Sequence, residues 1–194
     1  MVLPALSMES ATRCPFYLVS AFTTDAFAGN PAAVVFIDPT TVSAEYLGKL
    51  SANFNQPMLA AVSPALLPSD DPSIEVRAIR FIVPNGKDSP ICGHATLATA
   101  KVIFGMPETI AKGIKELHFK TPFGLTIGAL SCGDGFLEVQ LPSATLEDIP
   151  KEEAERLKVF VDAAFGRSVK IETFKAGGGI YSACGSLHKS VEVD

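Results

Sequence analysis

Residues 93–104, with the sequence GHATLATAKVIF, place the strongest constraint on the fold, because their helical pattern carries small side chains on every side. A helix surrounded by Ala, Thr and Gly lacks the charged face that a surface helix turns to water. Such a helix is suited to burial within a tight shell of other elements. We therefore predict a central, enclosed helix that ends at Gly105 and Pro107.

The shell is predicted from short segments rich in branched and aromatic side chains, each bounded by turn-forming residues. These segments are residues 16–22, 32–37, 59–64, 74–82, 117–120, 125–130 and 136–141. Helical spacing predicts two further helices, over residues 43–54 and 151–165. Several antiparallel strands interrupted by single helices indicate the α+β class.

One of the predicted strands carries a break in its pattern. Glu75 and Arg77 alternate with apolar residues, whereas Ile79 and Phe81 fall on the same phase as the charged pair. A β-bulge near Ala78 would bring the apolar residues of both halves onto one face, opposite the charged pair. The pattern therefore predicts a bulge at this position.

The length of the chain sets the expected domain organisation. A chain of 194 residues buries about 70% of its extended surface on folding, which is enough for one full core and a small second one. Residues 12–143 hold nearly all of the strands around the central helix and predict a first wrapped-helix domain. Residues 142–150 are typical of a linker, and a further strand is predicted over 169–174. Residues 144–194 therefore predict a partial second domain.

Charge and cysteine spacing exclude several classes of function. The formal net charge of −5, from 16 Lys and Arg against 21 Asp and Glu, gives no basic surface for nucleic acid or for an anionic membrane. The four cysteines lie far apart, which predicts reduced thiols in a cytoplasmic protein and no metal site. No apolar run reaches the roughly 18 residues that a membrane helix needs. Neither nucleic acid nor a membrane is therefore an expected partner.

The residues most suited to chemistry lie at the start of the central helix, in the segment ICGHAT at 91–96. A helix start offers unpaired N–H groups and a positive dipole end, which suit a carboxylate. Gly93 leaves room for a ligand near the backbone, His94 is the natural proton carrier near neutral pH, and Cys92 has a lowered thiol pKa if it faces the dipole. We therefore predict a ligand site at Cys92, Gly93 and Ala95, with His94 as its acid or base. The alternatives are a local cap or buried histidine at His94, and an inert buried thiol at Cys92.

Three segments together resemble the PhzF family of phenazine-biosynthesis-like isomerases. They are FAGNPAAVV at 27–35, RFIVP at 80–84 and CGHATLA at 92–98. The resemblance implies a fold like that of diaminopimelate epimerase, in which two similar domains each wrap a curved antiparallel sheet around a central helix. It also implies a cofactor-independent homodimeric enzyme. Such an enzyme transfers a proton on a small cyclic substrate that carries a carboxylate, as in secondary-metabolite biosynthesis.

Carried over residue by residue, the resemblance assigns roles and also reveals a departure. His94 matches the histidine that lines the family site, Gly93 contributes backbone, and Asn30 lies in the matching N-terminal turn. The family pattern Asn-x-Ser-Glu-Thr-Ala-Phe aligns with NQPMLAA at 55–61, so Met58 lines the substrate site in place of the catalytic glutamate. Methionine carries no proton. In the longer loop before the helix, Asp88 is the residue expected to substitute in part.

Three hypotheses about function follow. The first is a PhzF-like isomerase in which His94 transfers the proton, assisted by Asp88 or Cys92. The second is a non-catalytic binding protein that keeps the fold, favoured by Met58 and by the lack of the family's later Asp-Pro-x-Thr-Gly-Ser-Ala segment before Asp194. The third is a racemase with Cys92 as one base and Cys184 as the other.

Overall fold

In the computed structural model, which describes residues 14–25, 27–143, 145–171 and 174–177, the chain divides into two units, 1–142 and 143–194. The described strands of the first unit are β1 Phe16–Ala21, β2 Asn30–Phe36, β3 Leu59–Val62, β4 Ile74–Ile82, β5 Asp88–Ser89, β6 Glu116–Lys120, β7 Thr126–Gly133 and β8 Phe136–Gln140. Its described helices are α1 Ala44–Phe54, α2 Gly93–Phe104 and α3 Pro107–Ala111. The α+β class predicted from the sequence is confirmed.

The strands of the first unit form one mixed sheet in the order β1-β2-β3-β4-β6-β7-β8, with β5 paired to β4. Most neighbouring strands are antiparallel, as predicted, whereas the pairs β2–β3 and β4–β6 are parallel. The reason is connectivity. The chain passes through α1 between β2 and β3, and through α2 and α3 between β4 and β6, and such crossovers return it to the same end of the sheet.

Helix α2 is the enclosed helix that the sequence predicted. It contacts β1, β2 and β3 near one end of the sheet and β7 and β8 at the other, so the sheet curls around it. Half of its residues are buried, and most of these are Ala or Thr. The buried hydroxyls of Thr96 and Thr99 donate hydrogen bonds to the carbonyls of Cys92 (2.7 Å) and Ala95 (2.8 Å), so small polar side chains are tolerated inside the shell.

Strand β4 has no bulge, and the prediction of one near Ala78 was wrong. Residues 74–78 of β4 pair with β6, and residues 79–82 pair with β3. Neither pairing contains a register shift. In the second half of the strand both faces are covered, because Ile79 and Phe81 belong to the core cluster that contains α2, whereas Ile82 belongs to the cluster that contains Leu47 of α1. Glu75 and Arg77, in the first half, are also buried and form an ion pair with each other.

The second unit contains α4 Lys151–Phe165 and the antiparallel pair of β9 Leu146–Asp148 and β10 Lys175–Gly177. The prediction of a linker over 142–150 was wrong, because this segment contains β9. Of the strand predicted over 169–174, residues 169–171 and 174 are not in a strand, and residues 172 and 173 lie outside the described residues. Val169 is instead buried beside α4, where its N–H donates to the Asp162 carboxylate at 2.9 Å. Across both units, no helix among the described residues has the length and apolar character to cross a membrane.

Candidate functional site

Cys92 is the residue that precedes the first turn of α2, and its backbone connects to that turn. Its backbone is extended, and its carbonyl accepts hydrogen bonds from the Thr96 N–H (2.9 Å) and the Thr96 hydroxyl (2.7 Å). The space beside Gly93 is open, since a Cβ built on it has no neighbour within 4 Å. A ligand can therefore approach the backbone at the first turn of the helix.

Cys92 and His94 lie in contact at this helix start. The Cys92 Sγ is 3.3 Å from the His94 Nδ1 and 3.9 Å from the Nε2. Burial raises the pKa of the Cys92 thiol, and the facing backbone N–H groups of Ala95 and His94 offset only part of this effect. Burial also lowers the pKa of His94. The lowered thiol pKa, expected if Cys92 faced the dipole, was therefore wrong, and the alternative of a buried thiol agrees with the structure. Near neutral pH the site holds a thiol beside a neutral imidazole.

Asp88 lies in β5, close in sequence to α2, and its carboxylate is paired with Arg80 of β4. The two groups form a two-pronged contact, with 2.5 Å from Arg80 Nε to Oδ1 and 2.9 Å from the second guanidinium nitrogen to Oδ2. Hydrogen bonding to Asp88 raises the pKa of Arg80, and Arg80 also donates to the Val42 carbonyl at 3.2 Å. Proton transfer by Asp88 would break this pairing. Its catalytic role stays a prediction.

Asn30 and Met58 lie at the same end of two neighbouring strands, because β2 pairs in parallel with β3. The Ala33 N–H donates to the Met58 carbonyl at 3.0 Å, and Asn30 begins β2 three residues earlier. The preceding Gly29 has φ +76°, and a Cβ there would overlap the Ala21 carbonyl oxygen. Only glycine fits this turn, after which Asn30 begins β2.

The Met58 side chain fills an apolar position rather than a polar one. It is 8% exposed and belongs to the same buried hydrophobic cluster as Cys92 and Ala95. Three of the residues predicted to form the site, Met58, Cys92 and Ala95, therefore belong to one core cluster, whereas Asn30, Asp88 and His94 do not. At the position where the resemblance places a glutamate, the described structure holds no ionisable group.

A cavity of about 950 Å³ lies in a part of the first unit that the sequence did not indicate. Its lining comes from the end of β1, the second half of α2 and the turn between β7 and β8, including Ser20, Leu97, Lys101 and Asp134. None of the predicted site residues lines it. No sequence motif could have revealed this cavity, because three separate segments contribute to it. The described residues also contain no group of three or more His, Cys, Asp or Glu side chains that could hold a metal ion.

We expect the stability of the protein to fall with acidification in a way that depends on His94. Its folded-state pKa lies below the ordinary value of 6.5, so below about pH 6.5 the unfolded chain binds a proton more readily than the folded protein does. The contribution of His94 is therefore complete above this pH and is lost as the pH falls. Urea unfolding between about pH 5 and pH 7.5 should give a shallower pH slope for His94→Gln than for the wild type. Equal slopes would contradict the burial of this imidazole.

Comparison with known proteins gives consistent matches. The sequence model of the PhzC-PhzF family, described as phenazine biosynthesis-like protein, matches residues 19–179. The chain is 37% identical over 93 residues to phenazine biosynthesis-like domain-containing protein 2 of Mus musculus, covering 47% of this chain and 31% of that protein. It is 30% identical over 139 residues to an uncharacterized isomerase of Halalkalibacterium halodurans, covering 72% of this chain and 46% of that protein.

Solved structures show the same fold. A crystal structure of a PhzF-family phenazine biosynthesis protein from Enterococcus faecalis superposes with a TM-score of 0.57 and 26% identity, over 84% of this chain and 54% of that one. A predicted epimerase from Pseudomonas aeruginosa matches with a TM-score of 0.55 and 20% identity, over 82% and 54% of the two chains. The chain thus spans from 31% to 54% of the length of these four proteins.

Proposed function

The chain belongs to the PhzC-PhzF family of phenazine biosynthesis-like proteins, and we propose that it acts as a cofactor-independent isomerase on a small metabolite that carries a carboxylate. The proposed reaction moves a proton from one carbon atom of the substrate to another, so the substrate is neither oxidised nor reduced. The proposal includes a role in secondary-metabolite biosynthesis.

The observation that carries this proposal is the position of His94 next to the open backbone of Gly93 at the start of α2. The positive end of the helix dipole attracts a carboxylate to this point. Because burial lowers the pKa of His94, its imidazole is neutral near pH 7 and has one nitrogen that donates and one that accepts a proton. A neutral imidazole beside a bound acid is suited to general acid–base catalysis.

A second candidate function is the binding of a small carboxylate without catalysis. The observation that favours it is Met58, which is buried in the hydrophobic cluster at the position that the resemblance assigns to a glutamate. On this hypothesis the start of α2 still attracts the carboxylate of the ligand, whereas no proton is transferred because Met58 replaces the glutamate side chain.

A racemase with two cysteine bases receives less support. Its first base would have to be a thiolate at Cys92, but burial raises the pKa of that thiol. Its second base, Cys184, lies outside the described residues.

Proton exchange with solvent tests the proposed isomerase. The protein would be incubated in D2O with a panel of cyclohexene- and cyclohexadiene-carboxylic acids, and deuterium at carbon would be followed by proton NMR. We expect incorporation into at least one acid by the wild type, with a rate at least about tenfold lower in His94→Gln. Equal rates in both proteins would contradict the role of His94. Binding of the acids without exchange would favour the second candidate.

A further inference from the structure

The cavity that the proposed function leaves unused lies where the sheet of the first unit does not close. β1 and β8 are the two edge strands of that sheet, and both contact α2. The end of β1, the turn that leads into β8 and the second half of α2 line the cavity, so it occupies the gap between the two edges. Its volume of about 950 Å³ is within the range of small-molecule sites.

This cavity is separate from the start of α2. Lys101, which lies in its lining, is seven residues beyond His94 in the same helix. A helix rises about 1.5 Å per residue, so the two positions are about 10 Å apart along the axis. A ligand in the cavity is therefore independent of the proposed function.

Three charged side chains line the cavity: Lys101 on α2, Asp25 in the loop after β1, and Asp134 in the turn between β7 and β8. Within the described part of the chain, none of these side chains forms an ion pair or a hydrogen bond. The two carboxylates come from the two edges of the sheet, and the ammonium comes from the helix between them. The cavity therefore presents both signs of charge to a ligand.

These charges favour a ligand that also carries both signs. A carboxylate without an amine, which is the class proposed as substrate, would pair with Lys101 but would also be repelled by two aspartates. An amine without a carboxylate would leave the Lys101 ammonium without an acceptor. A zwitterion satisfies all three groups, because its ammonium pairs with the aspartates and its carboxylate pairs with the lysine.

Exposed aromatic side chains indicate the chemistry of the rest of the ligand. Phe22 follows β1 and Phe136 begins β8; both line the cavity, and they are 70% and 74% exposed. Phe22 also has φ +63°, a left-handed conformation that is unfavourable for a bulky side chain. Backbone strain at a residue whose ring is not buried is typical of ligand-binding segments. One phenylalanine at each edge suits an aromatic ligand between them.

We propose that this cavity is a second ligand site that binds a small aromatic zwitterion, of the class of an aromatic amino acid. The ammonium of the ligand pairs with Asp25 and Asp134, and its carboxylate pairs with Lys101. Its ring lies between Phe22 and Phe136.

Three probes of matched shape test this proposal. Tryptophan has both charges, tryptamine lacks the carboxylate, and indole-3-propionate lacks the ammonium. The chain contains no tryptophan, so the indole emission of each probe reports its binding without a protein background. We expect tryptophan to bind most tightly and indole-3-propionate to bind at least about fivefold more weakly. Failure of all three probes to saturate the protein at millimolar concentrations would overturn the site.

Variants of the charged residues test the individual contacts. Lys101→Met should weaken the binding of tryptophan about fivefold and leave tryptamine unchanged, because only tryptophan carries the carboxylate. Asp134→Asn should weaken both of these probes and improve indole-3-propionate, which lacks the ammonium. Lys120→Met is the matched control, since Lys120 is an exposed lysine of β6 outside the cavity, and it should bind all three probes like the wild type. Equal losses of tryptophan and tryptamine binding in Lys101→Met would overturn the pairing with Lys101.

Phe22→Gly separates a ligand contact from a structural role. Glycine adopts φ +63° without strain, so this variant should unfold at no lower temperature than the wild type. It should nevertheless bind tryptophan at least about threefold more weakly, because one aromatic contact is lost. A lower unfolding temperature with unchanged binding would overturn the role of Phe22.

Competition distinguishes this site from that of the proposed isomerase. The cyclohexene-carboxylic acids of the exchange experiment lack an ammonium, so they should not displace tryptophan. Displacement would place tryptophan at the start of α2 and overturn a separate site. Absence of proton exchange would contradict the proposed function and leave the result for the cavity unaffected.

Discussion

Replacing Arg77 by methionine is expected to lower the free energy of unfolding by about 3–5 kcal/mol, because it leaves a buried carboxylate without its partner. Glu75 and Arg77 are 4% and 5% exposed, and Arg77 Nε lies 2.5 Å from the Glu75 carboxylate. The Arg77 guanidinium also donates to the carbonyls of Ser63 (2.9 Å) and Pro64 (2.8 Å). These bonds join β4 to the segment that follows β3, so removing the arginine affects two strands of the core.

Urea denaturation of three further variants tests this explanation. The double variant Glu75→Leu/Arg77→Met should recover part of the loss, because it removes the uncompensated charge but still leaves two carbonyls without a donor. Glu75→Leu alone should also be destabilising, because it leaves the buried Arg77 guanidinium without its carboxylate partner. The matched control is Lys49→Met, which breaks the Glu45–Lys49 pair on the surface of α1, where both side chains are more than 70% exposed. We expect this control to stay within about 0.5 kcal/mol of the wild type. A similarly small effect of Arg77→Met would contradict the buried pair.

Local patterns predicted the elements whose signals lie within one segment of sequence. Examples are the small residues of α2, the helical spacing of α1, and the aromatic and branched runs of the main strands. The burial of Glu75 and Arg77 was missed because the two carbonyls that accept from Arg77, those of Ser63 and Pro64, lie more than ten residues away in the sequence. The pairing of β9 with β10 was also missed. Each of these strands has only three residues, which is too short for a recognisable pattern, and the two lie far apart in the sequence.

In the candidate site, too, features within one sequence segment were predicted, whereas features that depend on tertiary contacts were missed. His94, Cys92 and Gly93 could be named from the sequence because they share one helix start. The direction of the Cys92 pKa shift could not be inferred, since it depends on how deeply the surrounding sheet encloses the thiol. The pairing of Asp88 with Arg80 was also missed, because the turn between β4 and β5 brings together residues eight positions apart.

Met58→Glu is expected to raise the rate of deuterium incorporation by about 100-fold or more, which is the contribution of a well-placed general acid or base. Met58 is buried against the cluster that contains Cys92, so the new carboxyl would be partly withdrawn from water. Burial raises the pKa of a carboxyl group towards neutrality, where proton transfer in both directions is most effective. The same burial costs stability, so we expect a reduced free energy of unfolding in this variant.

Met58→Gln is the matched control for this gain, because glutamine has the size and polarity of glutamate but cannot carry a proton. Both variants should retain the wild-type circular dichroism spectrum at low temperature, and only Met58→Glu should exchange faster. Equal rates in the two variants would mean that position 58 does not face the substrate. A gain confined to Met58→Glu would instead show that position 58, just before β3, and the start of α2 still form one site. The wild-type sequence would then have lost a single proton carrier while keeping the geometry in which that carrier acts.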